Sequence, residues 1–563
     1  MPTLTPPGYD VHVGVPMRCR DGVQLLADVY LPRGRARSPA LLQRTPYSRD
    51  RSIVVDGAIA LRAAVEAGFA VVVQDVRGRG GSDGRFEPLV HEADDGFDAV
   101  QWVAAQDWCD GQVEMYGRSY AGLAQWLTAA ACPPALRAIA PMMAGSDAGR
   151  NWFGVGRAFE QGFVTAWVLT SLAAGDLRRS GDEEALDRLS TLTADPDGWR
   201  RPLSAADREL LGRTLGYVGD WLGGPEPLER WLSDERLHVD LASVEVPVMM
   251  TGGWYDFGIG GVLSTYVELR SVAAHPPTLV VGPWSHGSFT GSYAEHDFGP
   301  GAGVDGVGHS ARQLRWLASH LRPVPGDAAT PPDRGRIDLF DTGARSWAEI
   351  EPHSLSATAD LVLHGAATSD RLGPDADATT ESAAPLILVA DVSDPAPTVG
   401  GPVYLPGRLE RSGPRDQRAL LGRPDVVELP CVGVPRGTQL AGAVVVRLAV
   451  SAPHTGTRFV AKLCVRHEGT AGKGSTMLLR EAAVTVEVAG DSEVEIAMGY
   501  VLHRLGDDER LVLLLSNTSA PRYGPSPVEG HSTTEQDGPI RCAVRHVTLG
   551  LVTQAADVGP TEV

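Results

Sequence analysis

The stretch Y-G-R-S-Y-A-G at residues 116–122 decides the fold. A short apolar run (Q-V-E-M-Y, 112–116) leads into it, and a helix-like run follows at 123–131. A glycine two positions before Ser119 permits a tight turn from strand to helix and leaves the serine exposed above the edge of a sheet. The usual pattern is G-x-S-x-G, whereas here Ala121 takes the fifth position and the glycine comes one residue later. Because alanine is small enough for this close packing, the stretch still predicts a strand–turn–helix elbow that carries a nucleophilic serine.

Apolar runs on both sides of the elbow have the length of buried strands. They stand at 40–45, 69–75, 112–116, 137–143, 246–251 and 278–282. Between them, 53–67 and 92–105 show helical periodicity. This alternation of strands and helices predicts a mostly parallel sheet with helices on both faces.

The pattern changes between about 145 and 240. Phe159, Phe163 and Trp167 recur every four residues, and Ser204-x-x-Asp207 opens an apolar-periodic stretch as a capping box does. We therefore predict a helical insertion at 146–240 that forms a cap on the sheet domain. For each tryptophan of this segment, packing of one helix against another is a simpler interpretation than a role in binding.

A stretch rich in proline and glycine at 322–335 indicates a domain boundary. Beyond it, polar and apolar residues alternate with period two at 442–450, 459–467, 482–488, 509–515 and 542–552. These half-buried antiparallel strands, with a long polar loop near 521–540, predict a jelly-roll β-sandwich. The predicted domains are an α/β-hydrolase domain at 1–145 and 241–325, the helical cap at 146–240 and the jelly roll at 333–563.

Two later strands are followed by the residue types that complete a catalytic triad. Asp256 follows the strand at 246–253, and His286 follows the strand at 278–282. In α/β-hydrolases the chain order is Ser, Asp, His, and the carboxyl ends of parallel strands meet at one edge of the sheet. Each residue alone has a structural explanation, as a helix cap or an ordered loop residue. Three of them in this order at strand ends favour a triad of Ser119, Asp256 and His286.

The chemistry assigns each member a role. Ser119 is a weak nucleophile until His286 takes its proton, and Asp256 holds the imidazole in the productive tautomer. An oxyanion hole must also stabilise the negative charge of the tetrahedral intermediate. The backbone N–H of Tyr120 supplies one donor, and the hydroxyl of Tyr47, in the loop after the third strand, can supply the second.

Seven stretches of the chain carry a resemblance to a known family. They are R-T-P-Y at 44–47, V-V-V-Q-D-V-R-G-R-G-G-S-D-G at 71–84, Q-D-W-C-D-G-Q-V at 106–113, G-R-S-Y-A-G at 117–122, G-G-W-Y-D at 252–256, G-P-W-S-H at 282–286 and S-N-T-S-A-P-R-Y at 516–523. The sequence resembles the cocaine esterase and X-prolyl dipeptidyl aminopeptidase family of serine hydrolases over nearly its whole length. The resemblance implies an α/β-hydrolase domain, a helical cap, a C-terminal jelly roll, the triad above and Tyr47 as the oxyanion tyrosine.

The same resemblance bears on the substrate. Amino-acid ester hydrolases of the family carry extra carboxylates just after the triad aspartate, whereas here Asp256 is followed by F-G-I-G at 257–260. This departure argues against an amino-acyl substrate and for a neutral or aryl acyl group. By similarity to the cocaine-esterase-like members, Trp152, Trp167 and Phe257 are expected to bind that group. Cap carboxylates such as Asp147 or Glu160 could still supply an anchor for an ammonium group.

Composition limits the possible partners. With 50 Lys plus Arg and 70 Asp plus Glu the net charge is −20, which argues against nucleic acid and anionic membranes. The six cysteines form no C-x-x-C pair and are expected to be buried free thiols. The N-terminus lacks a signal pattern, and no apolar run approaches the ~18 residues of a membrane span, so a cytoplasmic protein is expected.

Other motifs have structural explanations. The glycine-rich stretch at 78–84 lacks the lysine and spacing of a phosphate-binding loop, and Glu295-His296-Asp297 supplies too few ligands for a metal. We therefore expect no metal and no cofactor.

The expected substrate is a small ester or amide, cleaved through an acyl-enzyme. The sequence leaves three alternatives open: an X-prolyl dipeptidyl aminopeptidase, an acyltransferase with the same triad, and a carbohydrate-binding jelly-roll protein that is not an enzyme. It also leaves the oligomeric state open, with a homodimer as one option.

Overall fold

The computed structural model describes residues 8–51, 57–155, 158–195, 199, 202–321, 335–356, 359–366, 371–374, 385–391, 393–404, 411–469, 474–524 and 540–554. Three sequence predictions fall partly or wholly outside these ranges. They are the start of the helix at 53–67, the boundary stretch at 322–335 apart from its last residue, and most of the polar loop near 521–540.

The strands in chain order are β1 (Tyr9–Arg18), β2 (Gln24–Pro32), β3 (Ser38–Thr45), β4 (Ala70–Asp75), β5 (Cys109–Arg118), β6 (Leu136–Met142), β7 (Gly154–Val155), β8 (Ala158–Phe159), β9 (Met249–Tyr255), β10 (Thr278–Ser285), β11 (Ile337–Asp341), β12 (Ser346–Glu349), β13 (Leu361–Ala366), β14 (Leu386–Ala390), β15 (Val426–Pro430), β16 (Gln439–Ala452), β17 (Arg458–His467), β18 (Ser475–Thr485), β19 (Gly490–Arg504), β20 (Glu509–Ser516), β21 (Ile540–Leu551) and β22 (Thr553–Gln554).

The α-helices are α1 (Leu61–Glu66), α2 (Glu92–Ala104), α3 (Tyr120–Ala130), α4 (Gln161–Trp167), α5 (Ala173–Ser180), α6 (Glu183–Ala194), α7 (Ala205–Gly212), α8 (Gly216–Leu222), α9 (Pro225–Leu232), α10 (Ile259–Val272) and α11 (His309–Ala318).

A ten-stranded sheet forms the centre of the first part of the chain. Its strand order is β1-β2-β4-β3-β5-β6-β9-β10-β11-β12. The strands from β4 through β11 in this order pair in parallel, and an antiparallel strand or hairpin closes each side. Each of the six apolar runs of the sequence coincides with a strand of this sheet, because a strand covered by helices on both faces has no polar face to show. The predicted fold class is therefore confirmed for this part of the chain.

Two strands extend this sheet from the far side of the predicted domain boundary. Ile337–Asp341 pairs in parallel with β10, and Ser346–Glu349 pairs with it in turn. Both lie in the range 333–563 that the sequence predicts to be jelly roll. The five residues of Ile337–Asp341 are all buried, as in the central strands. By hydrogen bonding these residues belong to the ten-stranded sheet.

Helices α4 to α9 and a short hairpin form the insertion between β6 and β9. Helix α7 begins as the capping box predicts, since the Ser204 hydroxyl accepts a hydrogen bond from the Asp207 N–H at 3.1 Å. The core of the insertion is aromatic: Trp167 stacks on Trp221 with ring centroids 5.0 Å apart. The fully buried Trp221 therefore packs helix against helix, as the sequence favours.

Two antiparallel sheets form the C-terminal part of the chain. One follows the order β13-β21-β16-β19, with β14 beside β21 and β22 beside β16, and the other follows β15-β20-β17-β18. Their inner faces share one apolar core, and the jelly-roll fold class is confirmed. The predicted strand at 482–488 differs from the structure, because β18 ends at Thr485 and a turn precedes β19.

A buried ionic cluster joins the insertion to the β-sandwich. We name Glu160, Arg522, Glu481 and Lys462 the interdomain ion cluster. The Arg522 guanidinium lies 2.7 Å from the Glu160 carboxylate and 3.0 Å from that of Glu481, and Lys462 pairs with Glu481. All four side chains are almost completely buried. The stretch S-N-T-S-A-P-R-Y of the sequence thus supplies the arginine that connects two parts of the chain.

Five of the six cysteines are buried as free thiols, and Cys132 is free but exposed. Within the described ranges, no helix combines the length and the apolar character that crossing a membrane requires.

Candidate active site

Strand β5 leads directly into helix α3, and Ser119 occupies the turn between them. Its backbone has φ 58° and ψ −123°, a conformation that is strained for a residue with a side chain. Gly117 has φ 129°, and a Cβ there would lie 2.8 Å from the Cβ of Ala121. A Cβ on Gly122 would lie 2.7 Å from that of Ala144, so this glycine lets the helix pack closely on the chain after β6. The displaced second glycine of the motif thus has its own packing role.

The structure brings the three predicted triad residues together. The Nε2 atom of His286 lies 3.0 Å from the Ser119 Oγ, and the Nδ1 atom lies 2.6 Å from the Asp256 Oδ2. The other oxygen of Asp256 accepts a hydrogen bond from the Gly258 N–H at 2.7 Å. Asp256 follows β9 and His286 follows β10, and these neighbouring parallel strands deliver both side chains to the edge where β5 ends.

This centre is nearly closed to solvent. Ser119 is 9% exposed, His286 is 8% exposed and Asp256 is completely buried. An ionised carboxylate without water must be paired and hydrogen-bonded, and the imidazole together with a backbone N–H meets that need. The low exposure also strengthens every electrostatic interaction within the centre.

Tyr47 lies at this centre, as predicted from the loop after β3. Its hydroxyl accepts a hydrogen bond from the Trp167 Nε1 at 2.9 Å and interacts with the Ser119 side chain. Burial is the main cause that raises the pKa of Tyr47 well above its usual value, so the phenol keeps its proton at neutral pH. Because its oxygen already accepts from Trp167, the hydroxyl can donate its own proton to another oxygen.

Tyr120 is anchored below the elbow. Its hydroxyl donates to the Glu92 carboxylate at 2.8 Å and accepts from the Leu89 N–H at 2.9 Å. Glu92 in turn pairs with the fully buried Arg44, which lies on β3 next to the loop of Tyr47. This network holds the first residue of α3, whose backbone N–H is the predicted oxyanion donor, in a fixed position relative to that loop.

The three predicted acyl-binding residues lie at different distances from the reacting groups. The Phe257 ring is 4.5 Å from the His286 ring, and Trp167 contacts Tyr47. Trp152 is completely buried and packs edge-on against Trp167 at 4.9 Å. Phe257 and Trp167 therefore border the centre directly, whereas Trp152 supports Trp167 from behind.

Two further aromatic residues complete this border, and sequence reasoning did not assign them to the site. Phe163 stacks on Phe257 with centroids 3.9 Å apart. Tyr404, which comes from the connection between β14 and β15, lies 5.0 Å from the His286 ring and 6.3 Å from that of Phe257. For Phe163, the only signal in the sequence was the four-residue periodicity that it shares with Phe159 and Trp167. No local pattern distinguishes Tyr404, because it lies outside regular secondary structure.

The two cap carboxylates that could anchor an ammonium group lie in different environments. Glu160 belongs to the interdomain ion cluster, and it also accepts a hydrogen bond from the Tyr523 hydroxyl at 2.9 Å. Its charge is therefore already balanced within the protein. Asp147 is exposed to solvent.

The glycine-rich turn at 78–84 is structural. A Cβ on Gly80 would lie 2.0 Å from the Asp75 carboxylate, and the Gly81 N–H donates to that carboxylate at 2.9 Å. Glu295 pairs with Arg415 at 2.6 Å. Within the described part of the chain, no group of three or more His, Cys, Asp or Glu side chains could hold a metal ion.

The sheet order, the serine elbow and the inserted helices define an α/β-hydrolase with a C-terminal β-sandwich. The sequence pattern of the family described as X-Pro dipeptidyl-peptidase (S15 family) matches residues 21–288. Cocaine esterase from Rhodococcus sp. (strain MB1 Bresler) is 32% identical over 538 residues, which cover 92% of each chain. The chain therefore belongs to the family of X-Pro dipeptidyl-peptidase and cocaine esterase, and the resemblance seen in the sequence is confirmed.

Solved structures agree with the fold over almost the whole chain. An α-amino acid ester hydrolase superposes with a TM-score of 0.70 at 21% identity, covering 98% of both chains. An aminopeptidase from a marine sediment archaeon, Thaumarchaeota archaeon, superposes with a TM-score of 0.71 at 19% identity, covering 99% of this chain and 98% of that one. At these identities the likeness concerns the fold.

Proposed function

We propose that this protein is a serine hydrolase that cleaves carboxylic esters of neutral or aryl acids through an acyl-enzyme. One observation carries the proposal: a serine on a strained elbow, a histidine and a buried aspartate form a continuous hydrogen-bonded chain. Such a chain activates a hydroxyl for attack on a carbonyl carbon. The cocaine esterase relative supports an ester as the substrate.

In the first half-reaction the Ser119 Oγ attacks the ester carbonyl while His286 takes its proton. The carbonyl oxygen becomes an oxyanion, which the Tyr120 N–H and the Tyr47 hydroxyl stabilise. His286 then gives the proton to the departing alkoxide, so that the alcohol leaves and the acyl group stays on Ser119.

In the second half-reaction a water molecule attacks the acyl-enzyme. His286 takes a proton from the water, a second oxyanion forms in the same hole, and the proton returns to Ser119 as the acid leaves. Asp256 stabilises the imidazolium in both halves because its carboxylate lies 2.6 Å from Nδ1. Every proton that the histidine takes is therefore returned within the same half-reaction.

The aromatic border favours a flat or apolar acyl group. Phe257 and Tyr404 lie beside His286, Trp167 contacts Tyr47, and Phe163 stacks on Phe257. Burying such a group gains about 25 cal/mol for each Å² of apolar surface removed from water. An X-prolyl peptidase would need a free carboxylate at this border for the peptide N-terminus, and the Glu160 carboxylate is paired with Arg522.

The test is Ser119→Ala, assayed with p-nitrophenyl butyrate and with a fluorophosphonate probe. We expect the variant to lose the label and several orders of magnitude in kcat, with an unchanged circular dichroism spectrum. Ser271→Ala, an exposed serine on α10, is the matched control and should keep both label and activity. Residual activity above about one per cent in folded Ser119→Ala would overturn the assignment.

The same assays separate the alternatives that the sequence leaves open. A carbohydrate-binding protein without enzymatic activity would not react with the fluorophosphonate at Ser119. An X-prolyl peptidase would release p-nitroaniline from Xaa-Pro-p-nitroanilide faster than it cleaves simple esters. An acyltransferase would transfer the acyl group to an added alcohol or amine in preference to water.

A further inference from the structure

Arg118 immediately precedes the serine of the elbow and is the last residue of β5. Its guanidinium carbon lies over the Phe289 ring, 5.3 Å from the ring centroid. Phe289 follows His286 by three residues, in the loop after β10. The cation is therefore held between the strand that carries the nucleophile and the loop that carries the histidine.

The guanidinium has no acidic partner among the residues that the structure describes. The groups that act on its charge are the phenols of Tyr404 and Tyr47, and both lie at the reaction centre. Burial is the main cause that lowers the pKa of Arg118. An arginine nevertheless keeps its proton at neutral pH, so a positive charge stands beside Ser119.

The buried arginines of the described ranges are held in two ways: some pair with carboxylates, and others, such as Arg458, donate only to backbone carbonyl oxygens. Arg44 pairs with Glu92, and Arg522 pairs with Glu160. Arg480, which lacks a carboxylate partner in the described ranges, donates to the carbonyl oxygens of Trp254 and Tyr500. Arg118 instead lies over the Phe289 ring, and the phenols of Tyr404 and Tyr47 act on its charge. Arg118 is only partly buried, so its guanidinium, which has no acidic partner in the described ranges, is available to a carboxylate of a bound ligand.

Arg118 and the aromatic border lie on different sides of the candidate active site. Phe257, Phe163 and Trp167 pack in the core of the helical cap, whereas Phe289 packs against Trp284 in the core on one face of the ten-stranded sheet. Tyr47 contacts both cores. A substrate bound at Ser119 can therefore place an apolar group against the cap and an anionic group against Arg118.

We propose that Arg118 is a specificity-determining residue that binds a carboxylate of the substrate, so that the preferred esters carry an apolar group and a carboxylate on the two sides of the scissile bond. The proposal rests on the proposed ester hydrolysis at Ser119. The arginine fork matches a carboxylate through two parallel hydrogen bonds.

The test compares esters that differ only in one negative charge. One pair places the carboxylate in the acyl part: p-nitrophenyl hydrogen glutarate and its methyl ester. The other pair places it in the leaving group: 4-(butanoyloxy)benzoic acid and its methyl ester. A charge-assisted hydrogen bond in a partly buried site corresponds to a preference of about tenfold or more. In at least one pair, we therefore expect the acid to exceed its methyl ester about tenfold or more in kcat/KM at pH 8.

Substitution of the arginine should remove this preference. In Arg118→Met the ratio of the two kcat/KM values should fall to about one, and in Arg118→Lys it should be intermediate, because a lysine keeps the charge but loses the fork. The control is Arg447→Met, an exposed arginine on β16 that pairs with Glu495, which should keep the ratio of the wild type.

Each outcome decides the proposal. A ratio below about tenfold in both pairs with the wild-type enzyme overturns it even if Arg118→Met fails to fold, and so does an unchanged ratio in folded Arg118→Met. A preference in the benzoic acid pair places the carboxylate in the leaving group and keeps the neutral acyl group of the proposed function, whereas a preference in the glutarate pair places it in the acyl part and replaces that neutral group. If Ser119 labels and neutral esters are cleaved without a preference for the acid, the inference about Arg118 fails while the proposed hydrolase activity stands.

Discussion

The interdomain ion cluster and the candidate active site both contain an arginine, but the charge of that arginine is compensated differently in the two regions. In the cluster, Arg522 lies between Glu160 and Glu481, and Lys462 balances the remaining charge. At the active site, the guanidinium of Arg118 contacts an aromatic ring and has no acidic partner in the described part of the chain. A fully paired cluster can stabilise the fold without a ligand, whereas an unpaired charge beside the serine is available to a substrate.

This comparison separates two kinds of mutational effect. Loss of one partner in the ion cluster leaves an uncompensated buried charge and should reduce the stability of the fold. Loss of a donor at the active site should reduce the rate of hydrolysis and leave the fold nearly unchanged.

The largest effect is expected for Glu481→Gln, which should lower the free energy of unfolding by about 3–5 kcal/mol at pH 7. Removal of this carboxylate leaves Lys462 and part of the Arg522 charge unpaired. The measurement is urea unfolding followed by tryptophan fluorescence. The control is Glu495→Gln, whose exposed partner is Arg447 at 2.9 Å, and it should cost less than about 1 kcal/mol. Equal losses in the two variants would contradict the distinction between the regions.

The same variant has an expected pH dependence. Burial by itself raises the pKa of Glu481. The positive charges of Lys462 and Arg522 have the larger, opposite effect and lower the pKa to about 2 in the folded protein. The folded-state value is thus lower than the unfolded one, so this contribution to stability is present above the usual pKa of glutamate and disappears as the pH falls towards 2. The stability difference between wild type and Glu481→Gln should therefore shrink below about pH 4.

The next effect concerns the proposed oxyanion hole. Tyr47→Phe should lower kcat about a hundredfold, with a smaller change in KM, because the hydroxyl acts on charge that develops in the transition state. Steady-state kinetics with p-nitrophenyl butyrate measures both constants. Tyr217→Phe removes another buried phenol, which bonds Asp176 at 3.0 Å within the cap, and should leave kcat nearly unchanged. A change in KM alone for Tyr47→Phe would make Tyr47 a binding residue and place the second oxyanion donor elsewhere.

The smallest effect is discrimination against an ammonium group. Methyl phenylacetate should exceed methyl phenylglycinate about tenfold or more in kcat/KM at pH 7, since the ammonium loses its hydration beside aromatic rings and near the cation of Arg118. N-acetylation of the phenylglycine ester removes the charge and should restore much of the rate. A preference for the free-amine ester would show that a carboxylate such as Asp147 reaches the substrate, and the neutral-acyl proposal would be withdrawn.

The sequence by itself determined the features that depend on short stretches of chain. The elbow could be predicted because Gly117 and Ala121 are needed within two residues of Ser119. The meeting of Asp256 and His286 with that serine could be predicted because parallel strands deliver their carboxyl ends to one edge of the sheet. The fold class followed from local periodicity. A strand buried on both faces is a continuous apolar run, whereas a half-buried strand alternates polar and apolar residues, and a few residues are enough to tell them apart.

Tertiary structure alone decided the features that depend on which distant side chains meet. Residues 160 and 522 form one ion pair, Tyr404 reaches His286 from outside any strand or helix, and Ile337–Asp341 joins the ten-stranded sheet. The missing acidic partner of Arg118, in the ranges described, also depends on which carboxylates fold towards it. The first two of these contacts span more than a hundred residues of chain, and the third joins strands that lie more than fifty residues apart. Because their partners are selected by how the sheet, cap and sandwich pack together, no local propensity or spacing in the sequence reveals them.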